Sequence, residues 1–267
     1  LELEFEKVEI EGLDLKEVSC KTALSRSRLE ADYALNPYQG CSHGCEYCYA
    51  PYVIRDERPW GTFLDVKRNI PKVVSQEAKT KKKGLVRIGS VTDPYQKAER
   101  EYKLTRRCLK QLSKNDFPVL IQTKSDLVKR DVDILKKMES DVGFTITSLD
   151  DDFRKTFEPN APTVAERLSA IKELKEEGIP VWVFIGPLLP YENDGEDDLN
   201  RLKETLNSLD VEEIYLDKLN MRKGIWHKIR PLLRDDLEED YRDIYFGDDD
   251  YFERKRGPYS EIGKLVF

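Results

Sequence analysis

Three cysteines stand within eight residues, Cys41-Ser42-His43-Gly44-Cys45-Glu46-Tyr47-Cys48, at spacings of four and then three. They follow directly on Asn36-Pro37-Tyr38-Gln39-Gly40. The chain has five cysteines, and Cys20 and Cys108 are remote, so the cluster makes a poor disulfide framework and a good metal site. Three thiolates can bind three irons of a [4Fe-4S] cluster and leave the fourth iron open to a substrate or cofactor. A structural zinc is one competing reading, with His43 as a fourth ligand on a very short loop. Unliganded buried thiols are another, although Gly40, Ser42, His43, Gly44 and Glu46 describe a loop and not a core strand. A plain electron carrier would place a fourth cysteine close by.

At 267 residues the chain can build one large core or two modest ones. A formal charge of -7 gives no global basic field for nucleic acid or an anionic membrane, although a local groove can still be basic. No apolar run reaches the roughly 20 residues of a membrane span, and Leu1-Glu2-Leu3-Glu4-Phe5-Glu6 is no signal peptide. An oxygen-sensitive cluster fits a reducing compartment, so a cytoplasmic protein is expected.

Residues 1–30 read as an alternating lead-in followed by a polar stretch, an extended edge segment without chemistry. Ala31–Pro37 reads as a first strand that delivers the cysteine loop at its C-terminal end. Asp65–Ala78 has helical spacing, with Pro71 marking a kink or a late start. Strand and helix then alternate: strands over 85–89, 118–122, 142–147, 181–185 and 214–216, helices over 102–112, 132–138, 163–177 and 197–209. Thr163 with Glu166 makes a capping box, and Gly178 a stop. Six strand-helix repeats predict a parallel, right-handed α/β array, and six is short of the eight that close a barrel. The fold expected is therefore a partial (β/α)6 TIM-type barrel over 31–220, with an N-terminal extension over 1–30 and an aromatic-rich C-terminal tail over 221–267. The tail aromatics Tyr245, Phe246, Tyr251, Phe252, Tyr259 and Phe267 read as packing residues, because the adjacent Asp248-Asp249-Asp250 would repel a phosphate backbone.

The cysteine motif, with Tyr47 before its last cysteine, resembles the signature of radical S-adenosylmethionine (SAM) enzymes. Five further stretches resemble the branch related to spore photoproduct lyase: Asn36–Cys41; Thr92-Asp93-Pro94-Tyr95-Gln96 with Glu99; Thr123-Lys124-Ser125; Arg130-Asp131; and Glu158–Pro162 with Glu166-Arg167-Leu168. The similarity runs from about Ala31 to Pro190. It implies a [4Fe-4S] cluster on Cys41, Cys45 and Cys48 and SAM chelated at the open iron. One electron would cleave the cofactor to a 5'-deoxyadenosyl radical that abstracts hydrogen from a substrate. A reducing partner such as a flavodoxin or ferredoxin is implied, and a monomer is expected.

Under that resemblance Ser90, Thr92 and Asp93 would contact the methionine amino group, and Lys124 the cofactor carboxylate or a substrate acid. Ser148 and Glu158 would meet ribose or methionine, and Tyr47 and Tyr49 would line the cofactor pocket. Gly186 would leave room for adenine. Arg87, Arg130 and Arg154 read as surface or salt-bridge residues, and Cys20 and Cys108 as structural thiols. Photoproduct lyases carry a hydrogen-donating cysteine where this chain has Ser90, a much poorer donor. Repair of DNA lesions and non-catalytic electron transfer stand as alternatives to a radical enzyme of unassigned substrate.

Overall fold

The computed structural model describes residues 8–211, 213–222, 224–247 and 250–252. Ten strands form two sheets: β1 (Asp14–Val18), β2 (Ser25–Arg26), β3 (Tyr33–Leu35), β4 (Tyr38–Gln39), β5 (Phe63–Lys67), β6 (Val86–Ile88), β7 (Val119–Thr123), β8 (Ser140–Thr145), β9 (Val181–Leu188) and β10 (Glu213–Lys218). The larger sheet has the order β10-β9-β8-β7-β6-β3-β2. All of its pairings are parallel except that of the edge strand β2. This is the open (β/α)6 array expected from the alternation. The smaller sheet, β1-β5-β4, was not legible in the sequence. It turns the lead-in from a loose edge into a strand registered on β5, Asp14 opposite Phe63. Leu1–Phe5 lie outside the described residues.

The helices are α1 (Ala50–Ile54), α2 (Ile70–Glu77), α3 (Glu99–Tyr102), α4 (Leu104–Ser113), α5 (Val132–Leu135), α6 (Asp151–Phe157), α7 (Val164–Glu176), α8 (Glu196–Ser208), α9 (Ile225–Ile229) and α10 (Glu238–Phe246). Three expected helices differ. Asp65–Ala78 divides into β5 and α2, because Pro71 sits in the first turn of α2, where its missing N–H costs no bond. The 102–112 helix is interrupted by Lys103 in the left-handed region, φ 51°, which splits α3 from α4. The 132–138 helix is a single α-turn preceded by a 3-10 segment, Asp126–Asp131. By contrast α7 starts at the Thr163–Glu166 capping box and stops at Gly178, φ +75°.

Side chains of the parallel strands alternate between two surfaces. Val86, Ile88, Val119, Ile121, Val142, Phe144, Val183 and Ile214 face the helices and are essentially inaccessible, forming one core with Leu109, Leu112, Ile171, Leu174 and Leu206. Each such aliphatic side chain contributes about 2 kcal/mol of burial. The alternate residues face the concave side. The C-terminal strand ends converge at one rim, and the cysteine loop follows β3 and β4 there. A second apolar cluster joins Cys45 and Tyr47 to Phe153, Phe157, Leu189, Ile225 and Tyr241. Tyr241 and Tyr251 of the tail pack on Tyr191, at 5.8 Å and 5.7 Å, and Tyr251 donates to Asp194 at 2.5 Å, whereas Phe246, expected to pack, is 58% exposed and meets Trp226 edge-on. Tyr259 and Phe267 lie outside the described residues. No described helix is long and apolar enough to cross a membrane.

Candidate active site

The cysteine loop is clamped from several sides. Gly40, at φ +90°, lies so close to Phe63 that a Cβ would stand 2.4 Å from its carbonyl oxygen. The Gly40 carbonyl accepts from Thr92 Oγ1 at 2.5 Å and from Gln96 Nε2 at 3.4 Å. Gln96 also accepts from the Ser42 N–H at 2.8 Å. Further along, Gly44 at φ +63° passes Gly61 at φ +96°, where a Cβ on Gly61 would come 2.9 Å from the Gly44 Cα. Asn160 donates its N–H to the His43 carbonyl at 3.2 Å, and Glu46 donates to Phe157 O at 3.0 Å. A loop rich in glycine is thus held by other elements as well as by its own Gly44 N–H to Cys41 O and Cys48 N–H to Cys45 O hydrogen bonds.

Cys41 and Cys45 are each 7% exposed, Cys48 is partly buried, and all three are free thiols. Burial pushes each thiol upward, Cys45 to about 12. Asp93 and Cys45 add to the rise at Cys41, while Lys124 opposes the rise at Cys45 and Cys48. Backbone N–H groups of Asp93 and His43 also favour a charged Cys41. A thiolate in such surroundings needs a compensating cation, which iron supplies. Among the described residues no group of three or more His, Cys, Asp or Glu side chains is arranged to hold a metal ion, the three cysteines included. The donor set suits a cluster that takes one thiolate at each of several irons.

His43 is 3% exposed with Nδ1 3.5 Å from Asp93 Oδ2, and burial lowers it against the pull of Asp93. Asp93 is a junction: it accepts from Tyr95 N–H at 2.8 Å, Thr123 Oγ1 at 2.7 Å and Lys124 N–H at 2.7 Å. It therefore ties the ends of β6 and β7 beneath the loop.

Glu158 is the second junction and is fully buried. It accepts from the Tyr47 hydroxyl, from Thr147 Oγ1 at 3.0 Å and from Arg167 Nη2 at 2.5 Å. Lys124 Nζ lies 3.9 Å from Glu158 and 5.6 Å from the centre of the Tyr47 ring. Burial pushes the Glu158 carboxyl upward, but Arg167 and Lys124 outweigh it and hold it at about 2. Burial likewise lowers Lys124, and Cys45 and Glu158 reverse this to a net rise. Arg167 also donates to the Thr145 and Pro162 carbonyls, so its charge is fully engaged.

The expected site residues divide into groups. Tyr47, Asp93, Lys124 and Glu158 gather around the cysteines, and Thr92 fixes the loop. Ser90 Oγ accepts from Asn36 at 2.9 Å, while its carbonyl accepts from Tyr49 at 2.7 Å. Ser148 sits half-buried after β8, accepting from the Asp150 N–H at 3.0 Å. At Gly186 the Phe184 ring fills the space a Cβ would take, so a side chain of the chain itself occupies the gap expected for adenine. Arg130 pairs with Glu99 at 2.7 Å, as expected of a salt-bridge residue. Arg154 is 7% exposed and so lies below the surface, but it pairs with Asp151 at 2.6 Å, as expected of a salt-bridge residue, and donates to the Ala161 carbonyl. Gln96, Asn160 and Arg167 lie in the stretches that carry the resemblance but were given no role from sequence, and Thr147 was not singled out at all. Arg167 had a signal: with Val164, Ile171 and Leu174 it shares the buried stripe of α7, where an unpaired charge is untenable.

A family model described as the radical SAM superfamily matches residues 35–202. An uncharacterized protein of Methanocaldococcus jannaschii is 32% identical over 236 residues, 87% of each chain. Another, of Mycobacterium tuberculosis, is 28% identical over 270 residues, 94% of this chain and 76% of that one. Among solved structures, spore photoproduct lyase complexed with dinucleoside spore photoproduct matches with a TM-score of 0.67 at 18% identity, over 85% of this chain and 69% of that one. A doubly substituted form with bound AdoMet and the same photoproduct matches at 0.69 and 16%, over 94% of this chain and 81% of that one. At such identities the likeness to these structures is one of fold. With the matched segment spanning the cysteine loop and the strands that clamp it, the chain belongs to the radical SAM superfamily.

Proposed function

We propose that this protein is a radical SAM enzyme in which Cys41, Cys45 and Cys48 hold three irons of a [4Fe-4S] cluster and leave one iron for SAM. The observation that carries the reading is a set of three free thiols on one loop, two buried and one partly buried, clamped at the C-terminal rim of a parallel half-barrel. When bound, the cluster supplies the electron that splits the cofactor's sulfonium bond and so yields a radical able to take hydrogen from a substrate.

The chain's own residues hold, orient and shield. Thr92 and Gln96 fix the entry to the loop, and Asp93 sets its height over β6 and β7. Glu158 anchors Tyr47 between the second and third cysteines. Lys124 offers an ammonium group for a carboxylate of cofactor or substrate. Ser90, Ser148 and Tyr49 supply polar groups around the rim. The cluster of Phe153, Phe157 and Leu189 beside Cys45 excludes water, which a reactive intermediate requires. Ser90 puts a hydroxyl where the resembling lyases carry a thiol, so the substrate is not assigned from that branch.

Anaerobic reconstitution tests the reading. The protein should bind about four irons per chain and, under dithionite, convert SAM to 5'-deoxyadenosine. Cys45→Ala should lose both; cofactor cleavage surviving in that variant would refute the assignment.

A further inference from the structure

The concave face of the sheet carries a second group of side chains that the cluster does not use. Val86 and Ile88 are buried against helices, so Arg87 between them projects to the opposite side. By register it neighbours Ala34 and Leu120, with Gln122, Gly143 and Trp182 aligned one layer nearer the rim and Thr145, Phe184 and Tyr215 in the next. Arg87 Nη2 donates to Gln122 Oε1 at 2.6 Å. Gly143 lets the Trp182 ring lie flat across β8, since a Cβ there would stand 2.1 Å from it. Trp182 meets Tyr215 edge-on at 5.5 Å.

Two donors on this face have no acceptor: Arg87 Nε and Trp182 Nε1 are both buried without a hydrogen-bond partner. Among the described residues no carboxylate lies within ion-pair distance of Arg87. Burial lowers Arg87 against the opposing pull of Tyr49 and Glu30, and a ligand anion would satisfy the unpartnered Nε. Lys124, Arg222 and Arg87 act on Tyr49 at the rim, Glu213 and Asp141 act on Tyr215, and Glu30 acts on both Tyr215 and Arg87.

Resting on the reading of the rim as a radical site, we propose that this face binds the substrate, a small molecule whose carboxylate or phosphate pairs with Arg87 while a planar body lies against Trp182, Phe184 and Tyr215. Arg87 precedes the rim residue Ser90 by three positions, a depth that suits a small molecule better than a polymer. The electrostatic rationale is that of a charge-assisted, two-pronged guanidinium contact.

The test uses the full chain without reductant, so its outcome is independent of SAM cleavage and failure of this inference is distinguishable from failure of the radical reading. Tryptophan fluorescence is titrated with benzoate, with phenyl phosphate and with the neutral analogue benzamide. The proposal expects saturable binding of at least one anion, about tenfold tighter than benzamide, and loss of that advantage in Arg87→Gln. Trp182→Phe should retain binding and lose most of the fluorescence response. Preference for benzoate identifies a carboxylate site, and preference for phenyl phosphate a phosphate site. Anions that bind wild-type protein no better than benzamide does, or equally well to Arg87→Gln, overturn the proposal.

Discussion

Glu158 illustrates how one side chain can fix a site from outside the cysteine loop. Its carboxylate, completely enclosed, is held from an ordinary 4.5 down to about 2 by Arg167 and Lys124 against the opposing effect of burial. A depressed carboxylate stabilises the fold fully above about pH 4.5 and loses that contribution as pH falls through about 2. At about 1.4 kcal/mol per pH unit, the contribution is about 3 kcal/mol. Comparing denaturant unfolding of wild-type protein with Glu158→Gln should show a gap of about that size near neutrality, closing between pH 4.5 and 2. A gap independent of pH would mean that Glu158 acts through packing alone. The sequence made Glu158 a candidate but not a junction. Its partners Thr147 and Arg167 come from separate elements, and only the fold brings them to one point.

At the scale of elements, α7 matters because it carries Arg167 to Glu158. Thr163→Ala removes the reciprocal cap and should cost about 1 kcal/mol. In a chain of this size that is a fall of about 2–4 °C in Tm, which Thr163→Ser should restore and differential scanning calorimetry would read. The loop itself depends on the Gly44–Gly61 crossing. Gly61→Ala should lower the iron bound on reconstitution while leaving far-UV circular dichroism unchanged, and full iron content would contradict the clamp. The long strands and α7 were legible because apolar runs and capping residues are local signals. β1, β4 and β5 were not, since their short pairings join segments roughly 30 to 50 residues apart. The break at Lys103 was equally silent, because a left-handed lysine has no sequence signature.

Over the whole molecule, a chain of net charge -7 gathers Lys124, Arg167 and Lys228 around its thiols. The acidic composition argued against a global basic field and said nothing of this local one, which exists only once strand ends and tail meet. The half-barrel was legible from six repeats, whereas the concave face was not, because which residue of each strand turns inward depends on register. The central claim is that three thiolates leave one iron free. Electron paramagnetic resonance of the reconstituted, dithionite-reduced protein tests it most directly: the account predicts a [4Fe-4S]+ signal that shifts when SAM is added, and a cluster signal indifferent to SAM would contradict it.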